Sequence, residues 1–212
     1  MKKPSFLLLW IALGVLGISA ASLEDACSRK KIRYSIVRPS SLLLRGTTNV
    51  NKFTCTCEEQ FGFQELEVEI GHERSKFQDA RLSMATRKFN CRNGQMERDL
   101  QRALKSEAHP RILIDLVEAR YPPEFLKNPD AGWFDVEARV SLTIAGTTKE
   151  KSLQAQATRL SETKFALKGA RAIRMTEFGI EPPTAMFGLI QVDDQITFHF
   201  DLTVQVEPVG FN

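Results

Sequence analysis

From Gln195 to Val206 the chain reads "QITFHFDLTVQV", alternating apolar and polar residues without a break. Ile196, Phe198, Phe200, Leu202, Val204 and Val206 fall on one side, and Gln195, Thr197, His199, Asp201, Thr203 and Gln205 on the other. A strand repeats every two residues, so the segment predicts a strand with one oily and one wet face. The pattern recurs in "FDVEARVSLTIAG", where Val136, Ala138, Val140, Leu142 and Ile144 oppose Asp135, Glu137, Arg139, Ser141 and Thr143. "KSLQAQATRL" aligns Leu153, Ala155 and Ala157, and "KFALKGARAIRM" aligns Phe165, Leu167, Gly169, Arg171, Ile173 and Met175 less cleanly. Further strands are predicted in "SSLLLRG", "VNKFTCTCEE", "QELEVEIG", "ARLSMATRKFN" and "RILIDLVEA", with turns at Asn93-Gly94, Ala145-Gly146 and Asp193-Asp194.

One segment has the other period. "MERDLQRALKSE" sets Met96, Leu100, Ala103 and Leu104 at helical spacing and stops at His109-Pro110, which predicts a short amphipathic helix. Many one-sided strands and one short helix define an all-β fold, an antiparallel barrel or sandwich. Strand pattern does not tell a filled barrel from a hollow one.

The N-terminus stands apart. "MKKPSFLLLWIALGVLGISAAS" has two lysines, an apolar run and then small residues, the order of a secretory signal. Cleavage is expected after Ala21, and residues 22–212 then form one domain, with no internal repeat or linker to divide them. The apolar run falls short of the roughly 20 residues that span a bilayer comfortably, so no transmembrane anchor is expected after cleavage. Glu24 and Asp25 before Cys27 do not suit lipid attachment at that cysteine. The formal charge of +3 includes Lys2 and Lys3, so the mature chain is close to neutral and nucleic acid is a poor partner. The basic stretch "SRKKIR" (Ser28 to Arg33) reads as a solvated arm.

"SSLLLRGTTNVNKFTC", "LTIAGTTKEKSL" and "LKGARAIRMTEFGIEPPTAMFGLIQVDDQITFHFDL" together resemble the YceI-like family of exported polyisoprenoid-binding proteins, most specifically in "MTEFGIEPPTAMFGL" (Met175 to Leu189). "NCRNGQMERDLQRALKSEAHPRI" is similar to the helix-bearing insertion of Bacteroidetes-type members. The resemblance covers essentially all of the mature chain. It implies an extended lipocalin-like antiparallel barrel with an elongated apolar interior, holding an isoprenoid or other long-chain apolar lipid, in the periplasm or otherwise exported. The walls are then expected from Val136, Ala138, Val140 and Leu142 on one strand and Ile196, Phe198, Phe200 and Leu202 on another, with Leu153, Ala155, Leu167 and Ile173 adding to them. No cofactor is implied, and a homodimer stays open. A dry tunnel of roughly 500 Å³ at about 24 cal/mol per Å³ would cost about 12 kcal/mol, comparable with a whole domain's stability. The interior is therefore expected to be filled by side chains, narrowed or loaded. A filled barrel acting as a non-enzymatic interaction or stress-response module is the alternative.

In "EFGIEPPTAMFGLI", Gly179 permits a turn, and Pro182 and Pro183 stiffen the chain beyond it. Phe178, Met186, Phe187 and Leu189 hang apolar groups on this loop, as a lid or as a plug of the barrel end, and Phe178, Met186 and Phe187 are expected to touch the ligand. Cys27, Cys55, Cys57 and Cys91 suit two disulfides in an exported chain better than a metal site. Cys55 and Cys57 share a strand face and are poorly placed to bond each other, which leaves either one for Cys91 and the other for Cys27. "KFTC" and "KFNC" resemble the two cysteine positions of family members with the insertion, which implies Cys55–Cys91, with Cys27–Cys57 the remaining pair. His72 reads as solvated and His109 as a cap for helix carbonyls. Thr197, His199 and Asp201 lie in line on a wet face, and no nucleophile elbow, phosphate loop or zinc-protease motif occurs, so no catalytic set is expected.

Overall fold

A computed structural model describes residues 28–127 and 132–208. The expected signal segment and Cys27 lie outside the described residues. The elements in chain order are β1 (Ser28–Thr48), β2 (Lys52–Cys57), β3 (Gln64–Ile70), β4 (Arg74–Gln78), β5 (Arg81–Ala85) and β6 (Phe89–Asn90). Then come α1 (Gly94–Ala103), β7 (Arg111–Arg120), α2 (Glu124–Lys127), β8 (Phe134–Ile144), β9 (Thr147–Arg159), β10 (Lys164–Arg174), β11 (Thr184–Ala185) and β12 (Ile190–Pro208).

Pairing β12 with both β10 and β1 closes a ring, β1-β3-β4-β7-β8-β9-β10-β12, of antiparallel neighbours. The fold is a lipocalin-like antiparallel barrel. Closure removes the sheet edges that would otherwise present unpaired backbone groups. β1 and β12 are the long staves, in register from Ile32↔Pro208 to Thr48↔Val192 apart from two irregularities. One of these, between Val37 and Ser41, is fastened by Thr203, whose amide donates to Ser40 Oγ (2.9 Å) and whose hydroxyl donates to Pro39 O (2.8 Å).

Ser28 to Arg33 is not a loose arm but the first stretch of β1, paired with β3 from Ser28↔Ile70 to Tyr34↔Gln64. Its charged side chains do face solvent, and Lys31 and Arg29 meet Glu65 (2.8 Å) and Glu69 (3.5 Å) across the pair. A run of basic residues hid a strand because backbone pairing orders it while its charged side chains stay in water. Asp193-Asp194 is likewise no turn; both lie within β12, and the reversal falls earlier, where Met186, Phe187 and Gly188 all have positive φ (49°, 56° and 88°). Ala145-Gly146 is a turn, with φ of 48° and 82° at successive residues as a tight hairpin requires. Asn93 acts as helix cap rather than turn residue: its side chain accepts from the Gln95 and Met96 amides that begin α1.

The interior divides into three packed groups. Tyr34, Leu66, Val68 and Ala80 fill one end with Val204 and Val206. Tyr121, Phe125, Val136, Ala155 and Ala157 form a second group, into which Phe134, Phe165, Leu167 and Phe200 pack. The largest group lies at the other end, around Leu44, Cys55, Met84, Ile112, Ile144, Phe178 and Ile196, roofed by α1. Cys55 and Cys91 form a disulfide there, bridging 36 positions of sequence.

Candidate functional site

The large group encloses a cavity of about 280 Å³. Antiparallel order brings together the ends of five strands at this level: Leu44 of β1, Ile112 of β7, Ile144 of β8, Ile173 of β10, and Ile196 and Phe198 of β12. α1 lies over them and turns Met96, Leu100, Ala103 and Leu104 inward, the four positions at helical spacing. Glu97 accepts a hydrogen bond from the Cys91 amide (3.0 Å), fixing the helix to the disulfide; the bridged Cys55 is itself cavity wall.

The floor is set by a one-turn 3₁₀ helix, Met175–Phe178, ended by Gly179 in the left-handed conformation (φ 66°). Phe178 is fully buried. Asp194 holds this turn, accepting from the Thr176 amide (2.9 Å) and hydroxyl (2.7 Å), and these bonds hold its carboxyl below the usual range. Glu177 is ion-paired with Lys151, which lowers its pKa as well. Lys105, just past the end of α1, donates from Nζ to Gly179 O at 3.3 Å.

The mouth lies between the start of α1 and the segment from Pro183 to Met186. The segment "EFGIEPPTAMFGL" is thus plug and rim at once. Phe178 and Ile180 are buried in the wall, whereas Met186 reaches the mouth and its neighbours Phe187 and Leu189 are exposed, Phe187 wholly so. Asn49 pins that rim: its Nδ2 donates to Leu189 O (2.9 Å) and its Oδ1 accepts from the Gln191 amide (3.0 Å).

Of the wall residues expected from sequence, Ile173, Phe178, Met186, Ile196 and Phe198 meet at this cavity. Val136, Ala138, Val140, Leu142 and Ala155 are buried on the inner face but at other levels, within or beside the packed groups. Leu153, Leu167 and Phe200 pack on the Tyr121–Phe125 group, and Phe200 and Leu202 also border the cavity group. Phe187 does not line the cavity and is wholly exposed. The roof positions of α1 went unassigned in sequence, although their spacing was visible there.

Cys57 is half-buried and has no disulfide partner among the described residues, and burial pushes its thiol pKa up; its expected partner Cys27 lies outside them. His72 is exposed near Glu73 and Lys127. His109 packs its ring on Gly146 rather than capping carbonyls: a Cβ on that glycine would meet the ring at 2.5 Å. Thr197, His199 and Asp201 follow one another along β12, spanning roughly 13 Å at about 3.3 Å per residue, too far to converge on one reacting atom. Among the described residues no group of three His, Cys, Asp or Glu could hold a metal, and no helix is long and apolar enough to cross a membrane.

A closed antiparallel barrel with an apolar pocket at one end is a small-ligand-binding architecture. Residues 39–204 match the YceI-like domain, and the chain belongs to the YceI-like family. In fold it is similar to a polyisoprenoid-binding domain from Saccharophagus degradans implicated in plant cell wall breakdown. The two are 12% identical, with a TM-score of 0.60 over 82% of this chain and 98% of that one. BcnA from Burkholderia cenocepacia is also similar, at 12% identity and a TM-score of 0.55 over 77% of this chain and 95% of that one. No curated protein sequence matches the chain.

Proposed function

We propose that this protein binds the apolar chain of a lipid, a polyisoprenoid or a comparably long molecule, in the cavity beneath α1, and carries or sequesters it outside the cytoplasm after removal of residues 1–21. The observation that carries this reading is the cavity wall: Leu44, Ile112, Ile144, Ile173, Phe178 and Ile196, each under a tenth exposed, surround a pocket open at one side. Each methylene moved from water into such a wall is worth about 0.8 kcal/mol, with no chemistry required. The similar fold of a polyisoprenoid-binding domain points the same way. The Cys55–Cys91 bridge suits an oxidising compartment. On this reading the protein transforms nothing; it holds.

The cavity of about 280 Å³ lies near the lower limit of ligand pockets, about 300–1,000 Å³. It therefore takes one stretch of chain, and the remainder leaves through the mouth or displaces the packing around Phe200. The packed groups elsewhere in the barrel favour a second reading, a largely filled module that acts through its surface. Native mass spectrometry of the mature protein, purified without detergent, separates the two. A stoichiometric added mass that extracts as a long-chain lipid is expected. A bare mass, unchanged after incubation with isoprenoid lipids, would sink the carrier reading.

A further inference from the structure

The cavity has a deep end and a mouth of different chemistry. At depth its wall is Cys55, Ile112, Ile144 and Phe178, all 2% exposed or less. Its polar wall groups are Asn93, Gln95 and Asp99, at the cap and first turns of α1, with Thr48 at the end of β1 and Thr184 on β11. Asp99 is the sole charged side chain lining the cavity among the described residues, and it is an anion. It is also well held: its side chain is 16% exposed, Gln95 Nε2 donates to both its oxygens (3.0 and 3.1 Å), and Arg102 Nη1 donates to one (3.0 Å). Arg102 itself stands 76% exposed on the solvent side of α1, and Arg98, also exposed, is tied to Gln95 Oε1 (2.7 Å). Neither guanidinium lines the cavity.

We infer that the site selects lipids with an uncharged, hydrogen-bonding head group, such as an alcohol, and rejects the corresponding phosphates. This rests on the lipid-binding reading above and names the class of head group that reading leaves open. A chain seated at depth leaves its head beside Asn93, Asp99 and Thr184. A hydroxyl head can donate to the Asp99 carboxylate or the Thr184 hydroxyl and accept from the Asn93 amide nitrogen, all ordinary pairings. A phosphate head brings a second anion beside a carboxylate that is largely removed from water, with no cation in the wall to offset it. Like charges so placed repel, and stripping water from a phosphate without a charged partner adds to the penalty. Arg102 beside Asp99 weakens the repulsion without cancelling it, because its own charge is spread into solvent.

The test is a competition at fixed chain length. The full mature protein is loaded with the neutral fluorescent reporter N-phenyl-1-naphthylamine and titrated with farnesol or farnesyl phosphate. Farnesol is expected to displace the reporter at about tenfold lower concentration than the phosphate. The isosteric variant Asp99→Asn, checked for fold by circular dichroism, is expected to shrink that ratio at least threefold by removing the repelling charge. A phosphate that competes as well as or better than the alcohol on the wild type overturns the head-group inference alone. An unchanged ratio in Asp99→Asn overturns the role of Asp99. Displacement by neither compound overturns the lipid reading and this inference with it.

Discussion

The ring of Phe200 lies across Gly169: a Cβ on that glycine would come within 2.6 Å of Phe200 Cζ. The two residues face each other in the β10–β12 ladder, and the missing side chain on one strand makes room for the large one on the other. Phe200 borders both the cavity group and the Tyr121–Phe125 group, so it is the partition between them. Gly169→Ala is expected to push on this partition and on Gln154 O at 3.2 Å, costing about 1–3 kcal/mol as overpacking does. Phe200→Ala is expected to lower stability by about 2–4 kcal/mol and to open room behind the Phe198 wall of the cavity, towards the Tyr121–Phe125 group. Urea denaturation reads the first effect. The second is read by chain-length preference, which should move towards longer isoprenoids in Phe200→Ala; an unchanged preference would mean that Phe200 does not end the site.

Ala103 offers the opposite manipulation. It lines the cavity from α1 and is only half-buried, so a larger group there fills space without displacing the deep wall. Ala103→Trp should exclude two or three methylenes of a bound chain, about 2 kcal/mol at about 0.8 kcal/mol each. That corresponds to roughly thirtyfold weaker binding. Copurified lipid measured by native mass spectrometry should fall accordingly while the melting temperature holds. Full occupancy would place the chain elsewhere in the barrel.

How these sites appear in the sequence depends on how much a period of two can say. Alternation in β8 marks Val136, Ala138, Val140, Leu142 and Ile144 as inward, and all five are buried. It is silent on height along the barrel, and only Ile144, at the strand's end, reaches the cavity. The same holds in β12, where Ile196 and Phe198 reach it and Phe200 and Leu202 do not. Height is fixed by long-range register, which no local pattern carries. Helical spacing made α1 legible as an element, yet nothing local says that its apolar stripe roofs a cavity. The basic start of β1 was illegible for another reason: it is ordered by backbone pairing with β3, which leaves its charged side chains in water. The family resemblance reached further than the patterns did, to the barrel and to the Cys55–Cys91 pair.

That disulfide gives a prediction about stability and site together. Closing a loop across 36 positions removes denatured-state freedom worth roughly 4 kcal/mol in the chain-entropy model. The paired replacement Cys55→Ser with Cys91→Ser should lose about that much in urea denaturation, with no further dependence on reductant. Because Cys55 is wall and the Cys91 amide donates to Glu97 of α1, the loss should also loosen the helix. Amide exchange in Gly94–Ala103 should quicken more than in β8. Equal quickening would mean that the bridge acts on the denatured state alone.

Acid should release the floor of the cavity before it unfolds the barrel. Two hydrogen bonds from Thr176 to Asp194 favour the ionised carboxylate and depress its pKa in the folded chain below the unfolded value of about 3.9. Glu177 is depressed in the same direction by Lys151. A group with a lowered folded pKa binds protons more readily when unfolded. Its contribution is therefore fully present above the unfolded pKa and is lost as pH falls through the folded one. The turn carrying Phe178 should thus be intact at neutral pH and loosen only below about pH 4. Two-dimensional NMR of the Thr176 amide, tracked from pH 7 to pH 2, should show an acidic transition with a midpoint below that of a free aspartate. Asp194→Asn should remove the Asp194 step, leaving only what Glu177 contributes, and destabilise the protein at pH 7, with the gap to wild type closing at pH 2. If the gap persists undiminished in acid, the Asp194 carboxylate is not what holds the turn.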